Sequence, residues 1–146
     1  MEMKNNVNIV NKKVKFEYEF LDKYIAGVQL VGSELKPIRN NKVSLVDSYC
    51  FFENGELFLK NSTIQTNGTS YTHEPIRDRK LLLKKGELKR LNRDLKDGLT
   101  IVPFRMFINE RNKVKVEIVL AKGRKLYDKK NYKKEQDILK NTFKNY

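Results

Sequence analysis

The chain has 146 residues, 31 Lys+Arg against 18 Asp+Glu, a formal net charge of +13 and an apolar fraction of 39%, which fits one domain with one modest core. So large a positive charge opposes compaction and points to a polyanionic partner, nucleic acid ahead of an anionic membrane. No apolar run approaches the ~20 residues of a spanning helix, the N-terminus has no apolar signal stretch, and the lone Cys50 cannot form an internal disulfide, so a cytoplasmic protein without a membrane partner is expected.

Residues 1–10 are Asn-rich and unpatterned, and read as a flexible arm. From Phe16 an alternation sets in, with Phe16, Tyr18 and Phe20 on one face and Glu17 and Glu19 on the other, which predicts a half-buried strand. It resumes beyond Gly27, read as a bulge or bend, through Val28 to Val31. Ser33 is placed to cap a short helix through Leu35 and Ile38, with Glu34 near the positive end of its dipole, Pro37 early in it and Asn40-Asn41 closing it. Strands over 44–52 and 56–61 follow, joined by Glu53-Asn54-Gly55-Glu56, since Asn-Gly between apolar runs favours a type I′ turn. Residues 62–65 predict one more short strand. Asn67 to Arg79 reads as a long polar loop of the kind that carries function.

Glu87 to Lys96 predicts the clearest helix, with Leu88, Leu91 and Leu95 on one stripe and Gly98 to stop it. Two sharper strands come next: Val102, Phe104, Met106 and Ile108 alternate, as do Val114, Val116, Ile118 and Leu120, with a turn over 109–112. Pro103 marks an edge or a bulge in the first of them. After Gly123 the alternation stops, and a basic tail too poor in apolar residues to pack alone is expected to be disordered when free. The division is an arm over 1–10, a β domain over 11–123 and a tail over 124–146. About six short antiparallel strands with about three helices make a mainly β, α+β chain, and closure into a small barrel removes the exposed edges.

No Cys or His cluster has zinc spacing, and no glycine-rich phosphate loop is present. Cys50 among Tyr49, Phe51 and Phe52 reads as core. A metal-dependent nuclease built on Asp47, Glu53 and Glu56 is opposed by the hairpin turn that Glu53 and Glu56 flank, where solvated charges are ordinary. No catalysis, cofactor, metal or small-molecule substrate is expected. Binding fits better. Arg77, Arg79, Lys80, Lys84 and Lys85 cluster beside the long loop as a phosphate-tracking surface. His73 either stacks on a base or hydrogen-bonds a loop carbonyl. Leu81, Leu82 and Leu83 cannot all face one core, and an exposed leucine amid cations can meet an unstacked base. Lys113 and Lys115 share the solvent face of their strand, where edge protection competes with binding. A general single-strand nucleic-acid barrel is the alternative; it needs stacking aromatics on an exposed face, and Phe51 and Phe58 read as core.

Three stretches in order, Gly32-Ser33-Glu34-Leu35-Lys36, His73-Glu74-Pro75-Ile76-Arg77-Asp78-Arg79-Lys80-Leu81-Leu82-Leu83 and Ala121-Lys122-Gly123-Arg124-Lys125-Leu126-Tyr127-Asp128-Lys129-Lys130, carry a resemblance. From about Asn11 to Asp137 the chain resembles the small protein B family, the SsrA-binding proteins that partner transfer-messenger RNA on stalled bacterial ribosomes. The resemblance implies an oligonucleotide-binding-like barrel that binds the tRNA-like domain of that RNA near its elbow, in place of a codon–anticodon stem. It implies RNA contacts at Asn11, Lys12, Lys13, Leu82, Lys84 and Lys115. Ile25 departs from it, standing where the family usually has an RNA-binding glutamate. For Lys122, Arg124, Lys125, Tyr127, Asp128, Lys129 and Lys130 it implies contact with the small-subunit decoding region and ribosomal RNA. Tyr127 stands where many members have histidine, and Lys130 keeps the charge of a common arginine without its planar fork. Tyr132, Gln136, Leu139 and Phe143 fall on one side of a helix that would lie in the empty messenger channel.

Overall fold

The computed structural model describes residues 7–66 and 73–123; the expectations for 1–6, 67–72 and 124–146 lie outside the described residues. The elements are β1 (Asn8–Val10), α1 (Lys12–Glu17), β2 (Tyr18–Val28), a 3₁₀ turn (Gly32–Glu34) running into α2 (Leu35–Arg39), β3 (Val43–Ser44), β4 (Tyr49–Glu53), β5 (Glu56–Lys60), β6 (Thr63–Ile64), β7 (Arg79–Leu82), α3 (Lys85–Asp94), β8 (Leu99–Ile108) and β9 (Val114–Gly123). Strands β8, β4, β5, β7, β2 and β9 close a ring in that order, β9 returning to β8, and every pairing is antiparallel. The expected closed barrel is present. Strand β1 adds to β8 through Asn8↔Phe107, and β3 pairs with β6 as a separate ribbon.

Period-two alternation fills the interior. Tyr24, Ala26, Cys50, Leu57, Leu59, Leu81, Ile101, Met106, Val116 and Ile118 form one buried cluster. Each large aliphatic side chain fully withdrawn from water there contributes about 1.5–3 kcal/mol. Burial also pushes the Cys50 thiol up, out of reach of thiolate chemistry at neutral pH. A second cluster of Val14, Val102, Val119 and Ala121 lies on the opposite face of β8 and β9.

That second cluster explains the first departure from the alternation rule. Residues 12–17 form α1, so the strand begins at Tyr18 and not at Phe16. The helix buries Val14 on Val102, Val119 and Ala121, which outweighs the strand propensity of its aromatic. Val7 is buried and Asn8–Val10 is paired, so these residues belong to the barrel rather than to a flexible arm. The bulge in β2 lies between Phe20 and Asp22, not at Gly27. Another register shift lies at Pro103–Arg105 in β8, where proline has no N–H to donate. It sends Val102 to the helix-covered face and Met106 and Ile108 to the interior, so the four alternating residues do not share one face.

The strand expected over 44–52 is two, β3 and β4, separated by a turn in which Asp47 has φ 60°. Asn54 and Gly55 have φ 52° and 78°, the pair of left-handed residues that a type I′ hairpin needs. α3 starts two residues earlier than its leucine stripe indicates, buries Leu91 fully, and is followed by Gly98 at φ 84°. Arg79–Leu82, read as the end of a loop and an unassigned apolar run, is the strand that joins β5 to β2.

Candidate nucleic-acid interface

Strand β7 alternates like its neighbours. Arg79 and Leu81 therefore point inward, and Lys80 and Leu82 outward. Arg79 is completely buried. Its Nε and Nη2 donate to Glu34 Oε2 at 2.8 and 2.6 Å, and its Nη1 donates to Ser62 Oγ at 2.9 Å and to the Ser62 carbonyl at 3.1 Å. Arg77 donates to Glu34 as well, through Nη2 at 2.5 Å and Nε at 3.2 Å. Glu34 is itself fully buried, and its Oε1 accepts the Val31 N–H at 2.9 Å. Burial alone would raise the Glu34 pKa; hydrogen bonds from Arg77, Val31 and Arg79 overcome it and hold the carboxylate below its ordinary value.

This corrects two readings. Arg79 is not a phosphate-tracking residue, and Arg77 is largely committed to Glu34. Ser33 caps no helix. Its hydroxyl meets His73 Nδ1 at 3.0 Å, while His73 Nε2 lies 2.8 Å from the Ile64 carbonyl. A carbonyl only accepts, so Nε2 carries the proton and, in the neutral ring, Nδ1 accepts from Ser33. His73 is buried and does not stack on a base. The first two motif stretches thus bind each other as a polar core between the 3₁₀ turn, β6 and β7. Asn11 is structural too: it is 5% exposed, its Nδ2 donates to the Leu45 carbonyl at 2.9 Å, and its N–H to Phe104 at 2.7 Å. Lys80 is half-buried and paired with Glu56 at 2.7 Å.

Of the remaining candidates, Leu82, Ile25 and Lys115 lie on the outer face of β7, β2 and β9. Leu82 opposes Gly27, Gly27 opposes Lys115, and Lys115 opposes Phe107 on β8. Leu82 is 51% exposed and Ile25 is 47% exposed, two residues from Gly27 on the same face of β2. A side chain at position 27 would bring its Cβ to 3.3 Å from Leu82 Cβ, tighter than ordinary contact, so glycine is what lets Leu82 lie over β2. Lys84 is exposed just beyond Leu82, and Lys12 and Lys13 are exposed on α1.

The sequence reading missed three neighbours on this face. Glu117 opposes Ile25 and pairs with Arg105 at 2.5 Å, and the Arg105 guanidinium lies 4.1 Å from the Phe107 ring centroid. Their signal was present, as Arg105, Phe107, Lys115 and Glu117 all fall on the non-core positions of β8 and β9. Phe51 and Phe58 also differ from expectation. They are half-buried on the outer face of β4 and β5 and stack at 5.8 Å, opposite Cys50, Leu57 and Leu59. Lys122 is exposed at the end of β9; Arg124, Lys125, Tyr127, Asp128, Lys129 and Lys130 lie outside the described residues. Among the described residues no group of three His, Cys, Asp or Glu could hold a metal, and no helix is long and apolar enough to cross a membrane.

Comparison with known proteins agrees with this geometry. The family model described as "SmpB protein" matches residues 8–146. The SsrA-binding protein of Cytophaga hutchinsonii is 52% identical over 139 residues, covering 93% of this chain and 91% of that protein. The SsrA-binding protein of Bacteroides thetaiotaomicron is 50% identical over 135 residues, 90% of each chain. A solved structure described as "tmRNA-SmpB: a journey to the center of the bacterial ribosome" superposes with a TM-score of 0.70 at 41% identity, over 82% of this chain and 86% of that one. A closed barrel with an outward leucine and lysine, matched over nearly its whole length by these relatives, belongs to the SmpB family of SsrA-binding proteins.

Proposed function

We infer that this chain binds the tRNA-like domain of transfer-messenger RNA and delivers it to stalled ribosomes, where incomplete peptides are tagged and the ribosome is rescued. It does so in the cytoplasm as an adaptor, without catalysing a reaction. The observation that carries the reading is the outer face of β7, β2 and β9: a half-exposed leucine and isoleucine beside Lys84 and Lys115, on a barrel whose relatives are SsrA-binding proteins. Apolar side chains there pack on unstacked bases, and the lysines neutralise phosphates. Lys12 and Lys13 extend the cationic surface along α1. We assign no direct RNA contact to Asn11, His73 or Arg79, whose polar atoms already have protein partners.

Ribosome contact falls to the stretch from Lys122 through Lys130, whose first residue is exposed near the end of β9. Charge density supports this, since the chain beyond Gly123 is rich in lysine and poor in carboxylates. The direct test is to purify the tagged protein from its own cells and sequence the RNA that comes with it. Transfer-messenger RNA should dominate. A broad mixture of unrelated transcripts would instead identify a general single-strand binder.

A further inference from the structure

The outer face around Gly27 has a second row. In the first, Leu82, Gly27, Lys115 and Phe107 lie opposite one another across β7, β2, β9 and β8. Two residues along on the same face, Ile25 opposes Glu117 and Glu117 opposes Arg105. Arg105 is held from three sides. Its Nε donates to Glu117 Oε2 at 2.5 Å, its Nη1 donates to Asn8 Oδ1 at 3.4 Å, and its guanidinium carbon lies 4.1 Å from the Phe107 ring centroid. The Glu117 side chain is 12% exposed and that of Arg105 is 30% exposed. The planar group is therefore fixed in place and still open to solvent.

A carboxylate on the RNA face of a chain with net charge +13 works against attraction to a polyanion. Its use lies in choice. Free surface cations attract any phosphate, which gives affinity but carries no information about the RNA. Glu117 balances the charge of Arg105 at contact distance, so this part of the face offers a phosphate no free cation. What remains is a flat, weakly hydrated plane backed by an aromatic ring. Such a plane stacks on an unstacked base. Ile25 extends the row as a half-exposed apolar surface, two strands and roughly 10 Å from Arg105, close enough for one RNA to meet both. A brace between β8 and β9 would need the ion pair alone; the ring under the guanidinium makes it a stacking platform.

We propose that Arg105 is a specificity-determining residue of this face. Its guanidinium, carried on Phe107, stacks on an unstacked base of the tRNA-like domain. Glu117 is the positioning residue that fixes the plane and cancels its charge. The proposal rests on the binding reading above and adds to it which residues read a base rather than a phosphate.

The test measures affinity of full-length variants for the isolated tRNA-like domain and for an unstructured RNA of equal length, across salt, together with their thermal midpoints. Arg105→Ala and Arg105→Lys should each weaken the tRNA-like domain by about tenfold, since lysine keeps the charge and loses the plane. Neither should change the slope of log affinity against log salt, whereas Lys115→Ala should lower it by about one. Glu117→Gln keeps an acceptor for Arg105 and removes the negative charge. It should raise the slope by about one and tighten binding of the unstructured RNA, narrowing the preference for the tRNA-like domain. Wild-type affinity in Arg105→Lys, a lower salt slope in Arg105→Ala, or an unchanged slope and preference in Glu117→Gln would overturn the proposal. So would a loss in Arg105→Ala that follows its thermal midpoint and is restored with it by lysine, the mark of a brace alone. Equal affinity of the wild type for both RNAs would instead overturn the underlying binding reading, so the two failures are distinct.

Discussion

At the scale of single residues, the sharpest division is between cations that hold the fold and cations that face a ligand. Glu34 sits between two arginines with no exposure of its own. Removing it leaves Arg79 buried and unpaired, so Glu34→Ala should lose about 3–5 kcal/mol in a denaturant titration. The pH dependence has a definite sign. The Glu34 pKa is depressed in the folded state, so its contribution is fully present above its ordinary value of 4.5 and is lost as pH falls through the folded value. Stability below pH 4.5 should therefore fall less steeply for Glu34→Gln than for the wild type. Leu82 behaves oppositely. Being half exposed, Leu82→Asp should leave the thermal midpoint nearly unchanged while weakening binding of the tRNA-like domain by about 1–3 kcal/mol. Ile25→Glu should also fold normally, for the same reason, and keep equal or better affinity. It places a carboxylate beside Glu117, and loss of affinity would mean that the RNA uses the apolar surface of Ile25.

Elements were legible in the sequence wherever one face alone was buried. The β4–β5 hairpin, the α3 stripe and the alternation of β9 up to Ile118 all follow from period and turn chemistry, because side-chain direction there depends only on neighbours in the chain. Two kinds of element were not. α1 is too short to show a helical period, and what stabilises it is Val14 against Val102, Val119 and Ala121, far away in the chain. β7 hid because an inward arginine broke the apolar alternation. Read as a strand, Arg79, Leu81 and Leu83 fall on one face, but only the distant Glu34 makes a buried arginine tolerable. The same long-range contact misled the site assignment, since a cationic run in sequence does not reveal which cations already have partners. At this scale, truncation after Gly123 keeps all of β9. It should leave the barrel folded and the transfer-messenger RNA bound with modest loss, while peptide tagging on stalled ribosomes disappears. Tagging at the wild-type rate would show that residues 124–146 have no part in the ribosomal step.

For the whole molecule, the excess of +13 is the dominant fact. The described ion pairs occupy Lys13, Arg77, Arg79, Lys80, Arg93 and Arg105, which leaves most of the cations among the described residues available to a polyanion. Net charge explains attraction to RNA in general. It does not explain choice of one RNA, which must come from the shaped outer face around Gly27. The measurement that separates the two is the affinity of the full-length chain for the isolated tRNA-like domain and for an unstructured RNA of equal length, across salt. Both affinities should fall as salt rises from ~50 to ~200 mM, because phosphate neutralisation releases counterions. The ratio between them should nevertheless persist, favouring the tRNA-like domain at every salt concentration and shrinking in Leu82→Asp. Equal affinities throughout would contradict recognition by the Leu82 face and reduce the barrel to a cationic surface.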